Sequence, residues 1–571
     1  MPSKPPSPNL RTLTAFAAMI LLPATTFGAQ VGGGSETLFQ WDGALRTQLG
    51  FSTSSAGDVN GDGVDDLIVG APADSPGGLF HSGSAYVYSG LDGSLIHQLQ
   101  GLDEEDHFGR TVCGVGDVNA DGFADVGVGA LWASPGGVHG AGSAFVFSGA
   151  NGTLLHRWDG VNDNEHFSSG LAGAGDLNQD GFDDVLVGAR YAHPGGVATH
   201  QGSAFAFSGA DGSIIHRWDG VELAGYHGES VSGIGDLDAD GVPDVLVGAA
   251  GGSNSVFVYS GQSGSVIYQL SAGSPPSFYS FGNSVVNAGD VDGDGIDDLI
   301  VGADRYSPSN RAYAGSAFVF SGASGTLLYG WQGNEPGDEM GNSVSGAGDV
   351  DGDGFADLLV GASSTDANNL VNSGSVYLFA GADGSLLHQW DGQVAGGYLG
   401  YSVSNVGDLN GDGYSELITG ANLAEPGGLF RAGSAYVFSF SPFLYSDTRE
   451  VSAATGAVVN LNHDFPTQAG FDVFKVLISA TGAGPTNYGV EIPLTQDSLT
   501  IQTFLGNYPF ATHTNMHGTL DINGQATSSL TLPAGLPSSL IGRSFYVASI
   551  ANQLGQLPEY SSAVVVIHIT P

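Results

Sequence analysis

The chain is poor in three things. It has one cysteine, Cys113, so no disulfide can close within it. It has 13 lysines and arginines against 58 aspartates and glutamates, a formal charge of −45. That balance repels nucleic acid and anionic membrane and favours bound cations. Beyond the first thirty residues it lacks any run of eighteen uninterrupted apolar residues, so no membrane-spanning helix is expected there. Long amphipathic helical patterns are missing too. What is present is 93 glycines and 30 phenylalanines among 571 residues, arranged as short apolar runs between turns. An all-β protein follows.

Residues 1–29 read as a signal peptide. Lys4 and Arg11 supply positive charge, and Leu13 to Ala24 form an apolar stretch too short to span a bilayer comfortably. Cleavage is expected near Gly28 or Ala29, and the protein is expected to be secreted or associated with the cell surface. An exported chain without disulfides needs other staples, and metal sites that exist only in the folded state would serve.

An internal repeat decides the architecture. Gly57-Asp58-Val59-Asn60-Gly61-Asp62-Gly63-Val64-Asp65-Asp66 recurs with first aspartates at Asp117, Asp176, Asp236, Asp290, Asp349 and Asp408, at intervals of 59, 59, 60, 54, 59 and 59 residues. Each copy is preceded by a short run of alternating small and apolar residues. It is followed by a strand ending in Gly-Ala, such as Asp66 to Ala71. A variable loop then leads to a run like Gly142 to Gly149 and a last one like Leu154 to Gly160. Four strands and four turns per unit describe a propeller blade, so the expectation is a seven-bladed β-propeller over residues 36–440. The seventh unit lacks its fourth strand. Leu38-Phe39-Gln40-Trp41-Asp42-Gly43 matches the missing piece, so the N-terminal strand is expected to complete the last blade and leave no open sheet edge.

The repeated loop has the chemistry of a calcium site. Oxygens at positions 1, 3 and 5 converge, Gly at 6 permits the turn, position 7 offers a carbonyl, and the acid at 9 returns to the same ion. Hard oxygen donors in that number suit Ca²⁺. The seven expected sets are Asp58, Asn60, Asp62, Val64 and Asp66; Asp117, Asn119, Asp121, Phe123 and Asp125; Asp176, Asn178, Asp180, Phe182 and Asp184; Asp236, Asp238, Asp240, Val242 and Asp244; Asp290, Asp292, Asp294, Ile296 and Asp298; Asp349, Asp351, Asp353, Phe355 and Asp357; and Asp408, Asn410, Asp412, Tyr414 and Glu416. These loops hold 24 of the 58 acids, so a large share of the acidity has a local explanation. An EF-hand would need Glu at position 12, where this chain has Val69, Val128, Val187, Val247, Val301, Val360 and Thr419. Turn-making alone needs one or two such residues, not four spaced oxygens with a fixed glycine.

The Phe281-Gly282 or Met340-Gly341 start, the Asp-rich loop and the Val-Gly-Ala ending resemble FG-GAP repeats, which build the seven-bladed propeller at the head of integrin α chains. The resemblance implies that fold, up to seven Ca²⁺, and an extracellular protein or glycan ligand bound on the face away from the metal loops. That face should collect Asp74 to Ser82, Leu131 to Ala141, Arg190 to Gln201 and links such as Asp103 to Phe108, Asn162 to Phe167 and Glu335 to Met340. His107 and His166 take matching places in two links. A histidine beside acids can be a metal ligand or a base, but recurrence with the blade argues against catalysis. His156, His216 and His388 recur in fourth strands, where a structural role is expected. No catalytic constellation is recognised. A binding or adhesion protein is the leading expectation, and an extracellular hydrolase or polysaccharide lyase using the opposite face is the alternative. Residues 441–571 hold 8 of the acids and short β-like runs, as expected of a small β-sandwich-like domain with a hairpin turn at Asp521 to Gly524.

Overall fold

Apolar runs such as Asp66–Ala71 are buried along their whole length in all seven repeats. A strand buried on both faces needs neighbours on either edge and packing above and below. The computed structural model supplies both. It describes residues 31–442 except 197–198, 272–279 and 309–310, and a set of strands between Leu444 and Thr570. Each of the first six repeats forms a four-stranded sheet with strands in chain order. In blade 1 these are Thr53–Gly57, Asp66–Ala71, Ser84–Tyr88 and Leu95–Gln100. First strands meet one another around the axis, and fourth strands form the partly exposed rim. The core is a set of wedges between successive blades, such as Ile68, Val87, Phe108, Val128 and Phe145 between blades 1 and 2.

The two glycines of the repeat have one explanation. A Cβ on Gly70, in the Val-Gly-Ala ending of blade 1, would collide with the carbonyl of Gly109, in the Phe-Gly start of blade 2. The same contact joins Gly188 to Gly228, Gly248 to Gly282, Gly302 to Gly341 and Gly361 to Gly400. It closes the ring between Gly420 and Gly50. Blades therefore touch backbone to backbone along a seam that admits no side chain. Blade 3 departs from the rule with Ser168, which holds a positive φ of 75°.

The ring closes as the repeat phase predicts. Val31–Asp42 pairs antiparallel with Ser434–Pro442, with Trp41 opposite Ala435 and Asp42 opposite Ser434. Trp158 and Asp159 face Ala144 and Ser143 in the same register. Rim side chains tie each blade to the next. The indole N–H of Trp158, Trp218 and Trp331 donates to the carbonyl of Gly212, Gly264 and Gly384, each at 2.9 Å. Trp41 does the same to Gly93 at 3.1 Å, across the closure. His156 and His216 donate to the carbonyls of Gly209 and Gly261 at 2.6 and 2.7 Å, the structural role expected of them. Trp390 is the exception. It faces blade 7, whose third strand runs on to Pro442 instead of turning back, and its indole nitrogen is buried without a hydrogen-bond partner. His388 meets Ser35 Oγ there instead, at 2.9 Å.

Past the propeller, Ala457–Asp464 pairs with Gln525–Leu532, and Val473–Ser479 with Ser544–Asn552, both antiparallel. The turn expected at Asp521 to Gly524 and the signal sequence lie outside the described residues. Among the described residues no helix is long and apolar enough to cross a membrane.

Candidate metal centres and the opposite face

Each Asp-rich loop connects the first and second strands of its blade. The loop folds on its own side chains: in blade 1, Asp58 accepts the N–H groups of Gly61, Asp62 and Gly63 at 2.6, 3.1 and 2.9 Å. Asn60 accepts from Asp62 N–H, and Asp62 from Val64 N–H, each at 2.9 Å. The bond from position 7 to the carboxylate at position 5 is present in all seven loops. Loops of neighbouring blades are also joined, because Ala124, Asp183 and Ala356 N–H groups donate to the carbonyls of Asp58, Asp117 and Asp290.

Three loops gather three carboxylates to within 4.8 Å of one another: Asp236, Asp238 and Asp244; Asp290, Asp292 and Asp294; and Asp349, Asp351 and Asp353. Calcium–oxygen bonds of about 2.3–2.6 Å place ligands on opposite sides of an ion about 4.6–5.2 Å apart, so the spacing fits such an ion. The donors are all oxygens, and like charges at this distance call for a cation between them.

The acid at position 9 lies below the loop and is almost fully buried in every blade, Asp66 and Asp357 at 0% exposure and Glu416 at 1%. Asp66 accepts N–H bonds from Val59 at position 2 and from Gly90, in the third turn, each at 3.0 Å. Asp125, Asp184, Asp244, Asp298 and Asp357 repeat that pair. Position 9 thus clamps the first turn to the third turn on one face. Blade 7 has no such third turn, and there the longer Glu416 accepts Leu409 N–H and Asn410 Nδ2. Burial pushes the carboxyls of Asp66, Asp125, Asp184, Asp244 and Asp298 up to about 6 and Glu416 to about 7, with backbone N–H bonds opposing and the loop acids adding repulsion. Asp357 is raised well above the usual carboxylate range, by burial first and then by Asp353 and Asp349.

The opposite face carries the second turns and the links between blades, laced by bonds such as Glu105 N–H to the Phe80 carbonyl at 2.9 Å. Here the blades differ. Immediately after the start glycine of each blade, or Ser168 in blade 3, stand Phe51, Arg110, Ser169, Glu229, Asn283, Asn342 and Tyr401. Arg110 is half-buried over the Phe51 ring, 4.6 Å from its centre, and Phe51 packs on Tyr401 at 4.9 Å. Arg190 pairs with Glu229 at 2.7 Å. A cleft of about 640 Å³ between blades 5 and 6 is lined by Glu335, Asp338, Asp366, Asn372, Tyr377 and Gln389, among others. Sequence reading did not single out Arg110 or this cleft, since neither repeats. His107 and His166 do share a register, but not surroundings. His166 is buried beside Trp132 and Tyr191, whereas His107 faces His81 and Glu105. Burial lowers the pKa of both imidazoles, His166 to about 4.

Comparison with known proteins agrees with this geometry. The FG-GAP repeat model matches residues 50–88, 167–207, 340–379 and 399–438, and the FG-GAP-like repeat model residues 236–301. Integrin alpha-5 of Xenopus laevis is 30% identical over 229 residues, 38% of this chain and 21% of that protein. Integrin alpha-V of Gallus gallus is 29% identical over 218 residues, 36% of this chain and 20% of its own length. Integrin alpha-4 of Xenopus laevis is 28% identical over 267 residues, 43% and 25% of the two chains. The matches thus span a fifth to a quarter of these relatives' length. With seven in-phase loops on a closed ring of seven four-stranded blades, the chain is an FG-GAP repeat protein resembling the propeller of integrin α chains.

Proposed function

We propose that this is a secreted calcium-binding propeller that acts in binding or adhesion, and that its ligand, a protein or glycan, docks on the face opposite the calcium loops. The observation that carries the reading is the contrast in repetition: one face has the same oxygen-rich loop seven times, while the other varies blade by blade on a shared backbone. Up to seven Ca²⁺ are held by positions 1, 3, 5 and 9 and the carbonyl at 7, and they brace a ring that has no disulfide. Export rests on the signal-like residues 1–29, the propeller occupies 36–440, and 441–571 form a β-sandwich-like appendage.

The second reading, an extracellular hydrolase or lyase, draws on the acidic cleft between blades 5 and 6. Its most buried acid, Asp338, is committed to the backbone, accepting Glu335 N–H at 2.8 Å. Glu165 caps the equivalent link of blade 3 in the same manner. That shared structural task favours binding over catalysis. The test is binding of the full chain to glycan and matrix-protein arrays with and without calcium, beside polysaccharide-cleavage assays. Calcium-dependent capture without cleavage is the expected result; turnover that disappears in Asp366→Asn would replace this reading with the enzymatic one.

A further inference from the structure

The hydrogen bonds that lace one blade's second turn to the following link give six junctions among the described residues a common register. His107 N–H donates to the carbonyl of His81, as His166 does to Gly140, Tyr226 to His200, Glu339 to Tyr313, Tyr398 to Asn372 and Gln48 to Arg431. Two residues before each donor, Glu105, Asn164, Ala224, Gly337, Gly396 and Arg46 bond to the residue preceding each acceptor. The left-handed backbone at these places is common to these six junctions and says nothing about any one of them. The side chains do. At this three-place register the six junctions carry His-Glu-His, Gly-Asn-His, His-Ala-Tyr, Tyr-Gly-Glu, Asn-Gly-Tyr and Arg-Arg-Gln. Among these six only the junction of blades 1 and 2 fills all three places with metal-ligating groups.

The geometry points to a transition-metal site of the Zn²⁺ class formed by His81, Glu105 and His107, separate from the calcium loops and on the opposite face. One ligand atom from each lies within 4.8 Å of the other two. Glu105 Oε2 is 3.5 Å from His81 Nδ1 and 3.3 Å from His107 Nε2. A charge-assisted hydrogen bond would draw such pairs to about 2.7–2.9 Å. A tetrahedral ion with bonds of about 2.0–2.1 Å sets its ligands about 3.3–3.4 Å apart, close to both Glu105 separations. Two imidazoles and one carboxylate select zinc, nickel or copper over calcium, which takes oxygen donors. Two backbone bonds, at 2.9 and 3.1 Å, fix residues 80–81 against 105–107, and Phe80 stacks on His81 with ring centres 3.8 Å apart. Three protein ligands leave a coordination position for water or for a donor atom of a bound partner, as in open zinc sites.

The experiment uses the tag-free full chain saturated with calcium, so that the Asp-rich loops are filled. Zinc chloride is added and followed by calorimetry and by metal analysis after dialysis, and Co²⁺ loading gives a visible spectrum that reports nitrogen ligation. One equivalent of zinc beyond the calcium complement is expected, with affinity at least tenfold weaker in His81→Ala, His107→Ala and Glu105→Gln. Because Glu105 is exposed and the two histidines are only half-buried, remote from the Asp-rich loops, calcium stoichiometry should not change and melting should shift little in these variants. Absence of zinc uptake by the wild type, or equal uptake by the His81→Ala/His107→Ala double variant, overturns the site. An oxygen-only cobalt spectrum in the wild type overturns it as well, without reliance on any variant.

Discussion

The two faces of the ring are built on one backbone and diverge in what repeats. On the Asp-rich face every blade has the same loop, the same bond from position 7 to position 5, and a buried acid reaching beneath it. On the opposite face the register of backbone bonds repeats and the side chains do not. Where a structural task is identical in each blade, identical chemistry is kept; where the residues change on an unchanged scaffold, the fold leaves them free to serve the proposed recognition. Stability should therefore depend on the first face, and recognition on the second.

The strongest way to break that comparison is to remove calcium. With site affinities of about 10⁻⁴–10⁻³ M and about 2 mM calcium, seven sites contribute on the order of 5–12 kcal/mol. Excess chelator should lower Tm by roughly 5–15 °C in calorimetry. An unchanged melt would show that the loops are turns and nothing more.

Asp357→Asn sharpens the point through its sign. The folded pKa of Asp357 is raised above its ordinary value, so without metal its ionised form destabilises the folded state at neutral pH. In calcium the variant should melt below wild type, having lost about tenfold or more in one site, about 1.4 kcal/mol. In chelator the order should reverse. A variant less stable under both conditions would mean that the carboxylate acts only as a hydrogen-bond acceptor.

His227→Phe tests the inter-blade core between the faces. His227 stands where other blades have Phe, Leu or Met and is buried, 3.2 Å from the Tyr259 hydroxyl. Burial depresses its pKa to about 4, so the unfolded chain binds the extra proton, and stability falls as pH drops below about 6.5. The substitution should stabilise by about 1–2 kcal/mol at pH 5 and little at pH 8. Denaturant melts at the two pH values check this, and equal shifts at both would refute it.

The smallest expected effect on stability belongs to Arg110→Ala on the opposite face. Losing its stack on Phe51 should cost about 0.5–1 kcal/mol in urea melts. Binding in the array assay should suffer far more than melting. A large stability loss with binding intact would reverse the assignment of the two faces.

Periodicity made the Asp-rich face legible. A 59-residue interval and four spaced oxygens are visible without any structure, and so was the missing fourth strand that Trp41 and Asp42 supply. Less accessible was anything carried by contact between distant, unlike residues. Gly70 and Gly109 look like two separate turn glycines until their backbones are seen to touch. The acid at position 9 was read only as a ligand, and its hold on Gly90 depends on a third turn 24 residues away. His107 was paired with His166 by pattern, whereas its true neighbours, His81 and Glu105, come from a junction whose side chains do not recur.

The clasp between Trp41 and Ala435 also has a history in time. The first strand of the ring is made early and its partner almost four hundred residues later. No amount of local folding in blades 1 to 6 can finish the structure. Closing so long a loop is slow, and until it happens the third strand of blade 7 is an open edge. The interval between the two events is when this protein is most exposed to mispairing and proteolysis. Any factor that shortens it acts on the yield of the fold before it acts on its stability.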